Sequence, residues 1–418
     1  MGPIAVSEPI APQTLQETRV PKGLLEELAL KLLVLEGEVN VLDLAERICL
    51  GVSITDELCQ TLRKEHLCEV KGSVGRYYRL GATDKGRAQA AEALSRNHYV
   101  GPAPVPLAEY EVRVHSQSVQ RTKVTPADLA RALHGLVLDA DVVTRIGTAA
   151  VSGAATLLYG PSGTGKTSIA NRLRLIYRDA VWIPYALEVE GQIITVFDSG
   201  VHRKMTPPAV ADCDRRWALC ERPCLLAGGE LSAQMLELQF NPVTKFYSAP
   251  LQMKANNGIL VLDDFGRQTI SPEALLNRWL TPLDRRVDYL SLASGMKFSV
   301  PFDVLVVFAT NLDPQRLADT AFQRRIPNKI TLDYATPKQF MEIFRRECEV
   351  RLLSAEPGLA EWLVEYWTTQ MKQPLRQSYP RDILQQLFWI ATYLGVEPSL
   401  NKDILEQVCR NFFPIDSA

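Results

Sequence analysis

The chain has 418 residues, 46% of them hydrophobic and 22% charged, with a formal net charge of −2. That length calls for two or three domains of ordinary globular composition, and the near-neutral balance implies no global electrostatic pull toward nucleic acid. No apolar run approaches the roughly 18–20 residues of a membrane helix. Residues 1–7 lack the basic start of a signal peptide, and eight cysteines in so large a chain read as reduced thiols, so a cytoplasmic protein is expected.

Residues 1–19 show no regular pattern and read as a flexible tail. Residues 20–100 read as a small domain. Leu24, Leu25, Leu28 and Leu32 give a first amphipathic helix and residues 41–48 a second. Ser53 is placed to cap a third helix, with Asp56 and Glu57 in its first turn. Residues 68–71 and 76–80 read as two strands joined by Gly72-Ser73-Val74-Gly75, and a last helix starts near Thr83. This order is similar to a winged helix. Over residues 63–96, Arg76 included, eight Lys/Arg stand against four acids, a mildly basic balance. Carboxylates at the start of the third helix would repel phosphate, so protein docking is expected, with duplex DNA as the alternative.

Residues 101–125, opening Gly-Pro-Ala-Pro-Val-Pro, read as a semi-rigid linker, after which Thr125 caps a helix. The apolar run 154–159 then meets Gly160-Pro161-Ser162-Gly163-Thr164-Gly165-Lys166-Thr167, followed by Ser168 and a helical stretch. This is the phosphate-binding pattern G-x-x-x-x-G-K-[ST] between a strand and a helix. Its glycines turn backbone N–H groups inward around phosphates, Lys166 brings an ammonium to the β- and γ-phosphates, and Thr167 offers a hydroxyl to Mg²⁺.

Ninety-seven residues separate Lys166 from Asp263, so an elaboration lies between them. A hairpin is expected from residues 181–185 and 193–197, and a helix at 230–236. Cys213, Cys220 and Cys224 follow His202 closely; three thiolates and an imidazole suit zinc, but the spacing is not a paired C-x-x-C, and buried or incidental cysteine is the stronger reading.

Residues 258–266 read Gly-Ile-Leu-Val-Leu-Asp-Asp-Phe-Gly, a strand buried on both faces that ends in two carboxylates. Asp263 suits Mg²⁺, through its coordinated water, and Asp264 suits orienting or deprotonating an attacking water. Residues 304–311 form another apolar strand, ending in Asn311, whose amide can bond a γ-phosphate or that water. Residues 319–327 read Asp-Thr-Ala-Phe-Gln-Arg-Arg-Ile-Pro; Arg324 or Arg325 can stabilise a transferring phosphoryl group in a neighbouring subunit. Tyr379-Pro380-Arg381-Asp382 opens a helix in a region, 335–418, that is helical by period.

In this order the five motifs resemble those of AAA+ ATPases, over roughly residues 126–418. The resemblance implies an α/β domain at 126–334 with a parallel sheet sandwiched by helices, and a helical lid at 335–418. It implies Mg-ATP as cofactor and a homo-oligomeric, hexameric ring. Asn311 takes the sensor 1 position, Arg325 the arginine finger with Arg324 in reserve, and Arg381 the sensor 2 position. The stretch 135–138 lies where such proteins cover the adenine, and the region of Phe240, Phe246 and Tyr247 would face the pore, where they could grip a polypeptide, although aromatic core packing is the stronger reading of those three residues. One departure is Asp264, where most of the family has Glu, which bears on turnover rate. The expected activity is ATP-driven remodelling or assembly of an unidentified protein client recruited by the N-terminal domain. The alternatives are an ATP-gated DNA-binding regulator or loader, and a slowly hydrolysing ATP switch.

Overall fold

The computed structural model describes residues 7–75, 77–207, 213–314 and 323–412. They fall into two compact units: Met1–Thr122 with Tyr177–Leu260 and Ala274–Leu305, and Lys123–Ile176 with Val261–Glu273 and Val306–Ala418. This differs from the expected division at 20–100, 101–125, 126–334 and 335–418. The reason is that the stretch after residue 177 shares a core with the N-terminal leucines: Ala186 and Ile193 are buried in the same cluster as Leu25, Leu28 and Leu58, and Phe246 packs on it.

The first unit begins with helix Lys22–Glu36, strand Glu38–Asn40, helices Val41–Ile48 and Val52–Lys64, strands Cys68–Val74 and Tyr77–Ala82, and helix Asp84–Arg96. Tyr77–Ala82 is the middle strand, antiparallel to both others. Asn40 and Thr83 cap their helices by accepting from the backbone of Asp43 and Gly86. The third helix starts two residues earlier than expected: Gly51 holds the cap position, Ser53 lies inside the helix, and its first turn carries no acid. Asp56 and Glu57 therefore sit a turn further on, where Asp56 accepts from Gln60 Nε2. Arg76 lies outside the described residues.

The expected flexible tail and much of the expected semi-rigid linker are built into this unit. In the tail 1–19, of which residues 1–6 lie outside the described residues, Ile10 bridges Cys213, Pro9 accepts from the Asp214 N–H, and Leu15 and Thr18 are buried. In the linker 101–125, Val105–Pro106 adds a parallel edge strand to Leu187–Glu188, and helix Leu107–Ser116 buries Tyr110 and Val114. Proline at a strand edge loses no ladder bond, so a Pro-rich stretch can still pair.

The expected hairpin is also re-paired. Ala180–Pro184 runs antiparallel to Trp217–Glu221, and Gln192–Thr195 runs antiparallel to Ala186–Val189. Tyr185 is the point of change, its N–H donating to Arg216 and its carbonyl accepting from Val196. Of residues 230–236 only a turn at Ala233–Leu236 is helical. Tyr247 is buried, Phe246 meets Tyr99 edge-on at 5.7 Å, and Phe240 is half exposed against Tyr247, so Phe246 and Tyr247 follow the core-packing reading. His202 is buried, with Nδ1 accepting from the Asp198 N–H and Nε2 donating to the Lys254 carbonyl, so backbone groups occupy both ring nitrogens. Among the described residues no cluster of His, Cys, Asp and Glu is arranged to hold a metal ion, Cys213, Cys220 and Cys224 included.

A buried polar network closes this unit. Asn257, at φ +62°, donates through its side chain to the Val114 carbonyl and Asp303 and accepts from Gln117. Its carbonyl accepts from Arg222, which is clamped on Asp179 by two bonds. Asn256 bonds the Tyr110 hydroxyl, the Pro301 carbonyl and the Asp303 N–H. Breaking such a buried charge pair costs about 3–5 kcal/mol, because the partner is left unpaired.

In the second unit the strand segments lie in the order 261–262, 306–310, 156–159, 328–331. The last three run parallel. Helix Ala140–Ser152 packs on Asn328–Thr331, and helix Lys166–Leu173 buries Ile169, Ala170 and Leu173. A separate helical core follows. Phe340 and Phe344 of Pro337–Val350, Leu363 of Leu359–Glu365, Trp367, and Ile383, Leu384 and Leu387 of Tyr379–Leu394 pack with Leu405 of Lys402–Phe412. Thr336 and Gln339 form a reciprocal capping box that starts it. The architecture is mixed α/β, with a parallel sheet flanked by helices and a helical C-terminal region.

Gly86 marks where the hairpin and the last helix of the N-terminal part meet, since a Cβ there would overlap the Leu67 carbonyl. A Gly86→Val substitution is expected to destabilise this packing by about 1–3 kcal/mol, because the obstacle is backbone. Hydrogen exchange of amides in residues 22–96 should accelerate accordingly, and unchanged protection would refute the close approach.

Candidate functional site

The site starts from the parallel register. Thr310 lies level with Tyr159, and Tyr159 with Thr331, so three strands end along one edge. The loop 160–165 leaves this edge and feeds helix Lys166–Leu173. Gly160 has φ +140°, and a Cβ on it would overlap the Leu332 carbonyl; Gly165, at +83°, caps the helix in a left-handed conformation. Thr164 is fully buried, and its hydroxyl donates to the Pro161 carbonyl at 2.9 Å. Lys166 Nζ donates to the carbonyls of Gly160 at 2.9 Å and Pro161 at 2.6 Å. Burial pushes the Lys166 pKa below the usual lysine range, against the opposing pull of Asp264 and Asp263. The result is a rigid loop that opens onto a helix N-terminus with a half-buried ammonium beside it, a setting for an anion.

The acidic edge stands opposite. All five residues of Gly258–Leu262 are buried, and the strand delivers Asp263 to the loop, where the Thr167 hydroxyl donates to Asp263 Oδ1 at 3.0 Å. Asp264 follows at φ +48°, a left-handed conformation that Asp tolerates better than most residues with a Cβ. The turn is held from two sides. The Phe265 N–H donates to the Ala309 carbonyl at 2.7 Å, and the Thr310 hydroxyl donates to the Phe265 carbonyl at 2.7 Å while accepting from the Leu312 N–H. Gln268 brackets the same turn, donating to the Asp263 carbonyl and accepting from the Gly266 N–H. No motif singled out Gln268 or Thr310; their roles arise from the turn itself. Phe265 is buried edge-on to Phe308 and is a packing residue.

The helical region supplies the far wall. The Ser378 N–H donates to the Gly163 carbonyl at 3.1 Å, and Gln377 and Ser378 lie over the loop glycines. Arg381, in the first turn of Tyr379–Leu394, is exposed and bonds Asp382 through Nε and Nη2. The cleft is about 470 Å³, within the range of about 300–1,000 Å³ of small-molecule sites. Ser162 to Ser168, Asp263, Asp264, Asn311 and Arg381 all line it, while Gly160 and Pro161 sit behind it holding Lys166. Leu136 to Leu138 line its other end with Ile343 and Glu347, neither of which the sequence pattern assigned to a site.

Arg324 is exposed, Arg325 is half buried, and neither lines this cleft. Lys329 Nζ fixes their turn by donating to the carbonyls of Gln323 and Ile326. Residues 319–322, which open that motif, lie outside the described residues, as do 413–418.

Residues 336–411 match a family described as "Domain of unknown function (DUF8689)". No curated protein matches the chain. Among solved structures, the chain is similar to a single-substitution mutant of RuvB from Thermotoga maritima, at 14% identity and a TM-score of 0.38, over 72% of this chain and 74% of that one. It is also similar to the Thermotoga maritima RuvB described as a Holliday junction branch migration motor, at 15% identity and a TM-score of 0.36, over 71% and 74% of the two chains. A third likeness is to NtrX from Brucella abortus, at 13% identity and a TM-score of 0.41, over 78% and 71%. At these values no neighbour's activity transfers to this chain.

Because burial lowers the Lys166 pKa in the folded chain from 10.5, the unfolded chain binds more protons between that lowered value and 10.5, and stability rises with pH across this window. A Lys166→Met variant is expected to lose that rise. Denaturation midpoints measured for both proteins without nucleotide, from neutral pH upward, check it; equal slopes would show that Lys166 titrates normally.

Proposed function

We propose that this chain is a Mg-ATP-dependent ATPase of the AAA+ type that forms a homo-oligomeric, hexameric ring. The observation that carries the reading is the convergence on one cleft of Lys166, the Thr167–Asp263 pair 3.0 Å apart, Asp264 and Asn311. A strand-end carboxylate against a P-loop hydroxyl is a pair of hard oxygen donors that fits Mg²⁺, so Thr167 and Asp263 are the residues that would hold it. Bound there, it would neutralise charge on the phosphate oxygens.

The chain's own residues then divide the work. Backbone N–H groups of residues 162–168 and the helix N-terminus bind the phosphates, and Lys166 exchanges its two carbonyl partners for phosphate oxygens. Asp264 orients a water and takes its proton as the new P–O bond forms and ADP leaves. Asn311 holds that water or the γ-phosphate. Arg381 closes from the lid, and Arg325, with Arg324 in reserve, serves a neighbouring copy, consistent with both lying off their own cleft.

The N-terminal helices and three-stranded sheet have the order of a winged helix, which we assign to recruiting a protein client for remodelling or assembly. A second reading, ATP-gated DNA binding by the same domain, gains from one observation. The helix Val52–Lys64 has no acid in its first turn and ends in Arg63 and Lys64, which removes part of the expected phosphate repulsion. The third reading, a slow ATP switch, rests on Asp264 in place of Glu. The left-handed backbone there gives Asp a local reason to be present that is independent of rate.

Lys166→Ala is expected to abolish Mg-ATP binding in equilibrium dialysis. Asp264→Asn is expected to bind ATP like the wild type and to lose turnover by about 100-fold or more; undiminished turnover would remove Asp264 from the mechanism. In the same variant held with Mg-ATP, salt-sensitive duplex DNA binding that Lys64→Glu removes would favour the second reading. No DNA binding under those conditions is the outcome expected of a protein-docking domain.

A further inference from the structure

The end of the cleft away from the phosphate loop is apolar but for one charged group. Leu136, Val137 and Leu138 form one wall, and Ile343 of helix Pro337–Val350 forms part of the other. Glu347 lies one turn beyond Ile343, on the same helix face, and lines the same cleft. The helix is close to the opposite wall here, since Arg346 Nη1 donates to the Leu136 carbonyl at 3.4 Å. Arg351 Nη1 pairs with Glu347 Oε2 and also donates to the Glu347 carbonyl at 3.2 Å, which fixes the carboxylate and leaves Oε1 as its other acceptor.

We propose that Glu347 is the base-specificity residue of the nucleotide site, its carboxylate accepting a hydrogen bond from the exocyclic amino group of adenine. This rests on the nucleotide-binding reading given above. An ionised carboxylate only accepts. Guanine would bring two adjacent N–H donors that suit both carboxylate oxygens at once, and the Arg351 guanidinium on Oε2 competes with one of them. The exocyclic oxygen of guanine or hypoxanthine would meet either Oε1, which repels it, or the apolar wall of Leu136 and Leu138, where it is unpaired. Oε1, the oxygen that Arg351 does not pair, matches the single N–H that an adenine amino group extends along its edge.

Displacement of methylanthraniloyl-ATP from the full-length chain by ATP, GTP and inosine triphosphate in Mg²⁺ tests this. The wild type is expected to bind ATP at least about tenfold more tightly than either oxo-purine nucleotide, because the losing base sets its exocyclic oxygen against a carboxylate oxygen or leaves it unpaired on the apolar wall. In Glu347→Gln the amide can rotate to donate, and the ATP-to-GTP ratio is expected to fall to within about threefold. In Glu347→Ala, ATP affinity should fall with the oxo-purine affinities unchanged. A wild-type ratio near one, a preference for GTP, or an unaltered ratio in a Glu347→Gln protein of normal thermal stability would overturn the proposal while leaving nucleotide binding in place. Failure of the wild type to bind methylanthraniloyl-ATP at all would instead overturn the nucleotide site itself, and this proposal with it.

Discussion

The parallel register that sets Thr310 beside Tyr159 and Tyr159 beside Thr331 is the constraint on which the site depends. Parallel strands bring like ends together, so one edge of the sheet receives the start of the phosphate loop, the residue before Asn311, and the Leu332 backbone that crowds Gly160. A shift by one residue would turn every buried side chain of Val304–Thr310 to the opposite face and take Asn311 off the edge. The fully buried, β-branched strand resists that shift, since all seven of its residues are excluded from solvent.

Around that edge, polar groups do what packing cannot. The Thr310 hydroxyl makes one bond to the turn that follows Asp263 and Gln268 makes two, and together they support the left-handed conformation of Asp264. Strain of this kind persists only where neighbours over-determine it. The loop on the other side is held in the same way, by Thr164 buried on the Pro161 carbonyl and by Lys166 on two loop carbonyls. The lowered pKa of that lysine measures the cost of keeping an ammonium half out of water.

The first unit depends on a different device. Asn256 and Asn257 precede the strand Gly258–Leu262, and Asp303 precedes Val304–Thr310; they bond one another and reach Tyr110, Val114 and Gln117. The polar atoms that these side chains bury there are answered by partners from segments distant in the chain. The stretch 101–119 is thereby fixed to the rest of the unit, which is why a proline-rich sequence behaves as structure and not as a spacer.

The glycine-rich loop 160–165 and the helix after it, the acidic strand end at Asp263–Asp264, the strand before Asn311 and the helical C-terminal region were legible in the sequence, because each is specified by short-range spacing. Glycine placement dictates backbone conformation, consecutive apolar residues dictate a two-sided strand, and a period of 3.6 dictates a helix face. What tertiary structure decided was partnership. Alternating apolar residues at 180–197 announce strands but carry no information on which strand they meet, and the chain chose Trp217–Glu221 and the Ala186–Val189 hairpin. Residues 9–18 and 101–119 carry no strong local preference, and distant partners fixed them. Ile343 has the spacing of a core residue, yet with Glu347 it faces the cleft, because the wall at Leu136 to Leu138, more than 200 residues earlier in the chain, is brought to that side of the helix. Local chemistry determined the glycine-rich loop, the strand-end acids and the helix faces; long-range packing determined which residues share one cleft with them.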